Sequence, residues 1–323
     1  MKKSLFAYLA IPLCLCMCTN PKFKDPSSHN ISFITVEKKV QLELLDWGGK
    51  GEPILFLAGL GNTAHVFDDF APQFTDHYHV LAVTRRGFGA SSQPPTGYSA
   101  SVLARDILTL IDSLKIKRIT LIGHSIAGEE LTKFASLYPN RVNRLVYIEA
   151  AYDRTCDMSI FDKAPPPPQV TKKDSASLQN LQSFYKRTYG IHLNEAEMRA
   201  GCVFAEDGHY VRDVTPEKIV GAVIKGAERP AYLSIKTKAL AFFQVADSLR
   251  DIFSYYDGLD AKSQKAAREV FEVGQPFQRK QIDLFKKEMA NGQVIEIHRA
   301  NHFLFLTNPK AVAYNIRKFL QSE

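Results

Sequence analysis

The run Ile119-Thr120-Leu121-Ile122-Gly123-His124-Ser125-Ile126-Ala127-Gly128 decides how the rest of the chain is read. Its first four residues are β-branched or apolar throughout, the mark of a strand covered on both faces. Its second half opens a helix. Ala127, Leu131, Phe134 and Tyr138 recur at steps of 4, 3 and 4, and Pro139-Asn140 ends the stripe. Ser125 therefore falls in the turn between strand and helix. A serine there is held in a strained backbone that lifts its hydroxyl above the sheet edge. The helix N-terminus beneath it favours developing negative charge. Small residues are needed two before and two after, because strand and helix pass close by. Gly123 meets that need fully and Ala127 with one methyl. The strand–turn–helix setting, more than the bare G-x-S-x-A spacing, gives the match its weight.

Working outward, the same buried-strand pattern recurs at Ile54–Leu57, Val80–Val83 and Leu145–Ile148, and Leu103, Ile107, Leu110 and Leu114 form a second helical stripe. Strands alternating with amphipathic helices imply βαβ crossovers and a mostly parallel sheet flanked by helices, an α/β fold. Before them, Ile31–Val36 and Val40–Leu45 read as a hairpin turning at Glu37-Lys38-Lys39, and Gly48-Gly49-Lys50-Gly51 as a further turn. The rhythm breaks after Ala151. Residues 152–235 hold the proline run Pro165–Pro168 and helical stretches without buried-strand signals, and the strands resume at Ala239–Phe243 and Val294–Ile297. The chain thus divides into a core of residues 30–151 and 236–323 and a helical cap or lid inserted at 152–235.

The 323 residues carry a formal charge of +7, with Lys and Arg scattered rather than blocked. That is a solvated surface, not a nucleic-acid footprint. No later stretch approaches the 18 apolar residues of a membrane span. The start of the chain differs in kind: Lys2 and Lys3 precede an apolar run from Leu5 to Met17, and Thr19-Asn20-Pro21 turns polar. This is the pattern of a secretory signal over residues 1–20, which places the product in the periplasm, the cell envelope or outside the cell. Cys18 follows Leu15-Cys16-Met17, a poor lipoprotein box, so a lipid anchor at Cys18 is the lesser alternative. Beyond the signal only Cys156 and Cys202 remain. In an oxidising compartment they would form a disulfide, and two separate buried thiols are the equal alternative.

A serine hydroxyl needs a base to take its proton. Of nine histidines, His29 lies near the processed terminus, His77 and His79 flank a strand start without a carboxylate cluster, and His298 sits at the end of the last strand. His302 follows that strand by a short loop, where this topology delivers a base over the serine. Leu57-Ala58-Gly59-Leu60 and Thr84-Arg85-Arg86-Gly87-Phe88-Gly89-Ala90-Ser91 add two glycine-bearing loops. A dinucleotide fingerprint at Gly59 and Gly61 fails because residue 64 is Ala. With no Walker loop, C-x-x-C or H-E-x-x-H either, neither a cofactor nor a metal is expected.

Together these motifs resemble those of the α/β-hydrolase superfamily, over roughly residues 38–151 and 236–320. Leu57–Leu60 is similar to its His-Gly oxyanion turn, with Ala58 in place of His. Thr84–Ser91 is similar to its Asp-x-x-Gly-x-Gly-x-Ser loop, with Thr84 in place of Asp, and Ala300–Pro309 to its closing histidine segment. The resemblance implies a Ser–acid–His order with Ser125 as nucleophile and His302 as base. Asp247, after the strand Ala239–Phe243, is the expected acid, and Glu149, 24 residues past Ser125, is the alternative. The oxyanion amides would be those of Leu60 and Ile126. A serine nucleophile excludes the aspartate branches of the superfamily. The implied activity is hydrolysis of a small carboxylic ester through an acyl-enzyme. Amide or carbon–carbon bond hydrolysis is the alternative within enzymes, and a binding or sensor protein without turnover the alternative outside them. Phe161, Phe184, Tyr185, Tyr189, Phe204 and Tyr210 would give the cap an apolar lining.

Overall fold

The computed structural model describes Asp25 and residues 27–322. The signal segment and Cys14, Cys16 and Cys18 lie outside the described residues. The hairpin forms as β1 (Asn30–Glu37) and β2 (Val40–Gly48), with Lys39 at φ 65° in its turn. There follow β3 (Pro53–Leu57), β4 (His79–Val83), α1 (Ala100–Ser113), β5 (Ile119–His124), α2 (Ala127–Leu137) and β6 (Val142–Ile148). After β6 come α3 (Leu178–Tyr189), α4 (Glu195–Gly201), a small hairpin of β7 (Cys202–Phe204) and β8 (Tyr210–Asp213), and α5 (Glu217–Lys225). The chain then returns to the sheet with β9 (Ala239–Val245), α6 (Leu249–Ile252), α7 (Ala261–Glu288), β10 (Gly292–His298), α8 (Leu304–Thr307) and α9 (Pro309–Leu320).

Eight strands make one sheet in the order β1-β2-β4-β3-β5-β6-β9-β10. β2 runs antiparallel to both β1 and β4, and the other pairings are parallel. The alternation along β3 shows why its sequence is apolar throughout. Ile54 and Phe56 face one core with α9, while Leu55 and Leu57 face the other with α1, α2 and α7. Phe56 anchors the first core, its ring 5.1, 6.1 and 5.8 Å from those of Phe67, Phe70 and Phe74. In the second, Tyr147 is fully buried edge-on to Tyr232 and Phe285. A bidentate pair from buried Arg86 to Asp106, both contacts 2.5 Å, ties the loop after β4 to α1.

Two features depart from the sequence reading, and a third, helix α7, was not read there. The 152–235 segment is not purely helical, because Cys202–Phe204 and Tyr210–Asp213 pair antiparallel; strands of three and four residues are too short to show a periodicity. The 28-residue α7 carries Pro276 inside it, a residue that in a sequence argues for a break. Cys156 and Cys202 are free thiols, which corrects the disulfide expectation. Cys156 donates to the Asp153 carbonyl beside Gln281, whereas Cys202 lies buried at the start of β7 beside Asp213.

Helix α2 crosses the sheet so closely that a Cβ on Gly128 would stand 1.9 Å from the Ala150 carbonyl oxygen. That neighbour is backbone and cannot swing away. Gly128→Ala is expected to cost about 2–3 kcal/mol in urea unfolding. Gly221→Ala, inside α5 with open space around it, should be neutral or stabilising by up to about 1 kcal/mol.

Candidate active site

Ser125 occupies the turn from β5 to α2 at φ +55°, a left-handed conformation that a serine adopts only under constraint. Its N–H donates to the Ile148 carbonyl at 3.1 Å, which pins the turn to the end of β6. The close approaches the sequence suggested are present: a Cβ on Gly123 would lie 2.5 Å from Leu131 and 3.1 Å from the Ala127 methyl. The tightest position is nonetheless Gly128, three residues after the serine, which explains how Ala is tolerated at 127.

His302 follows β10 and reaches back over this turn. Its Nε2 lies 2.8 Å from Ser125 Oγ, within reach of the hydroxyl proton. Its Nδ1 faces Glu149 Oε2 at 3.3 Å. Glu149 ends β6 in a left-handed conformation, φ 51°, and is buried. Its carboxylate accepts the Gln244 N–H at 2.6 Å and the Tyr152 hydroxyl at 3.0 and 3.1 Å to its two oxygens. Burial and the adjacent Glu149 charge push the Tyr152 phenol far up, so it donates throughout the neutral range.

The expectation for Asp247 is corrected by this geometry. Asp247 accepts from His298 Nδ1 at 2.9 Å and pairs with Arg299 Nε at 3.4 Å, at the exposed rim beyond β9 and β10. These partners hold its carboxyl below the ordinary range. The carboxylate on His302 is Glu149, the alternative. One strand supplies it because β6 lies directly beside β5, so its end is already next to the serine turn.

The oxyanion turn passes equally close. A Cβ on Gly59 would meet His124 Nδ1 at 2.6 Å and Ser125 Cβ at 3.3 Å. Buried Arg85 draws the turn's carbonyls away, donating to Ala58 O at 2.7 Å and Gly59 O at 3.4 Å while pairing with buried Glu130. Among the described residues the N–H groups of Leu60 and Ile126 have no hydrogen-bond partner. They are free to receive a developing oxyanion.

The supporting roles of His124, Glu197 and Glu43 were not read from the sequence. His124 is fully buried with its Nε2 3.0 Å from the His302 carbonyl oxygen. Burial, then the nearby His302, hold its pKa far below the ordinary value, so it is neutral and donates. Glu197 of α4 accepts from Asn62 Nδ2, the Thr63 N–H and the Thr63 hydroxyl at 2.9, 3.1 and 2.5 Å, fixing the far end of the oxyanion turn. Burial raises its pKa. Thr84, in place of the resemblance's Asp, accepts the Ala64 N–H at 2.9 Å and donates to Glu43 at 2.7 Å, so β2 supplies the carboxylate that position lacks. Nothing local marks Glu197 or Glu43, because each acts across more than forty residues of chain.

Residues 52–195 match the family described as alpha/beta hydrolase fold, and the chain has that fold. Over 101 residues it is 35% identical to a 2-(acetamidomethylene)succinate hydrolase of Mesorhizobium japonicum, covering 31% of this chain and 36% of the relative. Over 120 residues it is 33% identical to a non-heme chloroperoxidase of Streptomyces lividans, covering 36% and 44%. The chain thus spans less than half the length of these curated relatives in sequence. The crystal structure of an E-2-(acetamidomethylene)succinate hydrolase matches at a TM-score of 0.67 and 19% identity, over 91% of this chain and all of that one.

Glu149→Gln is expected to slow fluorophosphonate labelling of Ser125 by about 10²–10⁴-fold, because the imidazolium loses its counter-charge. Asp247→Asn should stay within about threefold, and the reverse ranking would return Asp247 to the site. His124 also has a pH signature. Its depressed pKa means that the unfolded chain binds the proton first, so stability falls as pH drops below about 6.5, by about 1.4 kcal/mol per unit. Urea midpoints at pH 7.5 and 5.5 should differ less in His124→Gln than in the parent.

Proposed function

We propose that the protein is a serine hydrolase that cleaves a small carboxylic ester through an acyl-enzyme on Ser125. The observation that carries this reading is the 2.8 Å contact between Ser125 Oγ and His302 Nε2, with Glu149 behind the ring. In the first half-reaction Oγ attacks the ester carbonyl and its proton passes to Nε2. The oxyanion gathers on the Leu60 and Ile126 amides, and Glu149 stabilises the imidazolium. His302 then returns the proton to the leaving alkoxide oxygen. Water repeats the cycle on the acyl-enzyme, releasing the acid and restoring Ser125.

A cavity of about 380 Å³ opens directly on Ser125 and His302. Its walls include Phe161, Ile252, Phe253, Val270 and Phe277, which suit an apolar acyl or aryl group of modest size. Of the aromatic residues expected to line the site, only Phe161 is among these. Tyr185 and Tyr189 line a separate cavity beside Leu60 and Phe303. The loop after β6, the end of α6 and helix α7 therefore supply the specificity wall, with the rest of 152–235 read as a cap beyond it. The charged and apolar run at residues 2–17 supports action after export. Among the described residues no helix is long and apolar enough to cross a membrane.

Turnover of 4-nitrophenyl acetate, butyrate and benzoate beside the matching 4-nitroanilides tests the reading. Repeated ester turnover is expected, with Ser125→Ala lowering kcat by about 10³-fold or more. Faster anilide than ester cleavage would move the assignment to amide hydrolysis. Labelling of Ser125 without any turnover would favour a sensor.

A further inference from the structure

At the helical turn that follows the oxyanion loop, four side chains converge that the proposed reaction does not use. Asp25 and His29 come from the segment leading into β1, spaced by four. His65 and Asp68 come from the single turn of helix after β3, spaced by three. Their side chains are 17%, 1%, 7% and 3% exposed, so the group is sunk into the protein. One ligand atom from each lies within 4.8 Å of every other.

We propose that Asp25, His29, His65 and Asp68 hold one zinc ion that fastens the N-terminal segment to the sheet. The distances carry the first part of the argument. His29 Nε2 is 3.2 Å from Asp25 Oδ2 and 3.2 Å from Asp68 Oδ1. His65 Nδ1 is 3.3 Å from Asp25 Oδ2 and 3.2 Å from Asp68 Oδ2. A tetrahedral zinc ion bound at about 2.0–2.1 Å requires ligand–ligand edges of about 3.3–3.4 Å. The three contacts among Asp25 Oδ2, His29 Nε2, His65 Nδ1 and Asp68 Oδ1 are close to that length, and the fourth reaches the other Asp68 oxygen.

Hydrogen bonding supplies the second part. His29 Nε2, Asp25 Oδ2 and Asp68 Oδ1 are buried and have no hydrogen-bond partner despite their proximity. A ring nitrogen poised between two oxygens aims a single N–H at neither of them, whereas its lone pair points at the space they share. Of the four contacts only His65–Asp68 has hydrogen-bond geometry. Buried polar atoms are satisfied in nearly all native proteins, so three orphans facing one point call for a cation there.

The surroundings agree. The other nitrogen of His65, Nε2, faces Glu43 Oε1 at 3.7 Å, the outer carboxylate that commonly orients a metal-bound imidazole. Glu43 is itself fixed by the Thr84 hydroxyl at 2.7 Å. Two imidazoles and two carboxylates favour zinc over calcium or magnesium, which prefer oxygen alone, and over copper(I), which prefers sulfur. Two carboxylates also balance its charge. Four protein ligands close the coordination shell, which makes the ion structural rather than a source of activated water. A surface pocket lined by Asp25, Glu43, His65 and Ala196 gives it a route in.

Full-length protein stripped with a chelator and dialysed would be titrated with Zn²⁺ in a calorimeter, with Mn²⁺ and Ni²⁺ alongside. One Zn²⁺ per chain is expected, with Kd below about 1 μM and a raised melting temperature. Co²⁺ in its place should give the intense visible bands of a tetrahedral centre. The variant Asp25→Asn/His29→Gln, altered only in the leading segment, should lose affinity by about 100-fold or more while fluorophosphonate labelling of Ser125 stays unchanged. That retained labelling certifies the fold and separates this result from the hydrolase reading. No Zn²⁺ binding by the stripped, folded parent would overturn the proposal. So would tighter Mn²⁺ or Ni²⁺ binding, or Zn²⁺ affinity unchanged in the variant.

Discussion

Everything at the serine turn depends on how closely α2 can approach the end of β6. The Ser125 backbone sits at φ +55°, a conformation costing about 1–2 kcal/mol for a residue with a side chain. It persists because the turn is clamped on both sides. The Ser125 N–H is held by Ile148 O, and Gly128 lies against the Ala150 carbonyl with no room for a methyl. Relaxing the turn would require α2 to lift from the sheet, taking Leu131 and Phe134 out of the core. The hydrophobic burial of one helix face thus holds a strained residue in place. Strain is tolerated here because the surroundings over-determine it.

A second constraint is charge without water. Arg85 with Glu130, and Arg86 with Asp106, are ion pairs buried on both sides. Burial raises the Glu130 and Asp106 carboxyls even with their arginines beside them. Such pairs add little net stability over apolar packing, but losing one partner is costly. Their value lies in direction. Arg85 turns the Ala58 and Gly59 carbonyls inward, which a methyl or leucine could not do, and the oxyanion turn takes its shape from that pull.

The eight-strand sheet was legible because its central strands are covered on both faces and its helices on one. Ile54–Leu57 and the 4, 3, 4 spacing of Leu103–Leu114 leave few other readings. Ser125 and His302 were legible too, since a strand–turn–helix and the loop after a last strand are positions defined by topology. The acid was not. Asp247 and Glu149 both follow strands, and the choice turns on which strand end lies nearer the base, a matter of Å that the sequence does not encode. Tyr152 and the Gln244 amide select Glu149 by satisfying its buried oxygens. The Asp25–His29–His65–Asp68 cluster was hidden for a related reason: each pair sits at an unremarkable local spacing, and only the fold brings the two pairs together.

Glu149 as the partner of His302 has a consequence for the order in which the site comes into being. The serine, both oxyanion amides and the acid all lie between residues 59 and 149, whereas the base lies 153 residues beyond Glu149 and 177 beyond Ser125. A chain emerging from the ribosome or entering another compartment N-terminus first can fold the nucleophile, its strained turn and its waiting carboxylate while the imidazole is still absent. In the proposed reaction the hydroxyl would meet its base only when β10 docks beside β9 and the following loop passes over it, so reactivity would be the last property the fold acquires.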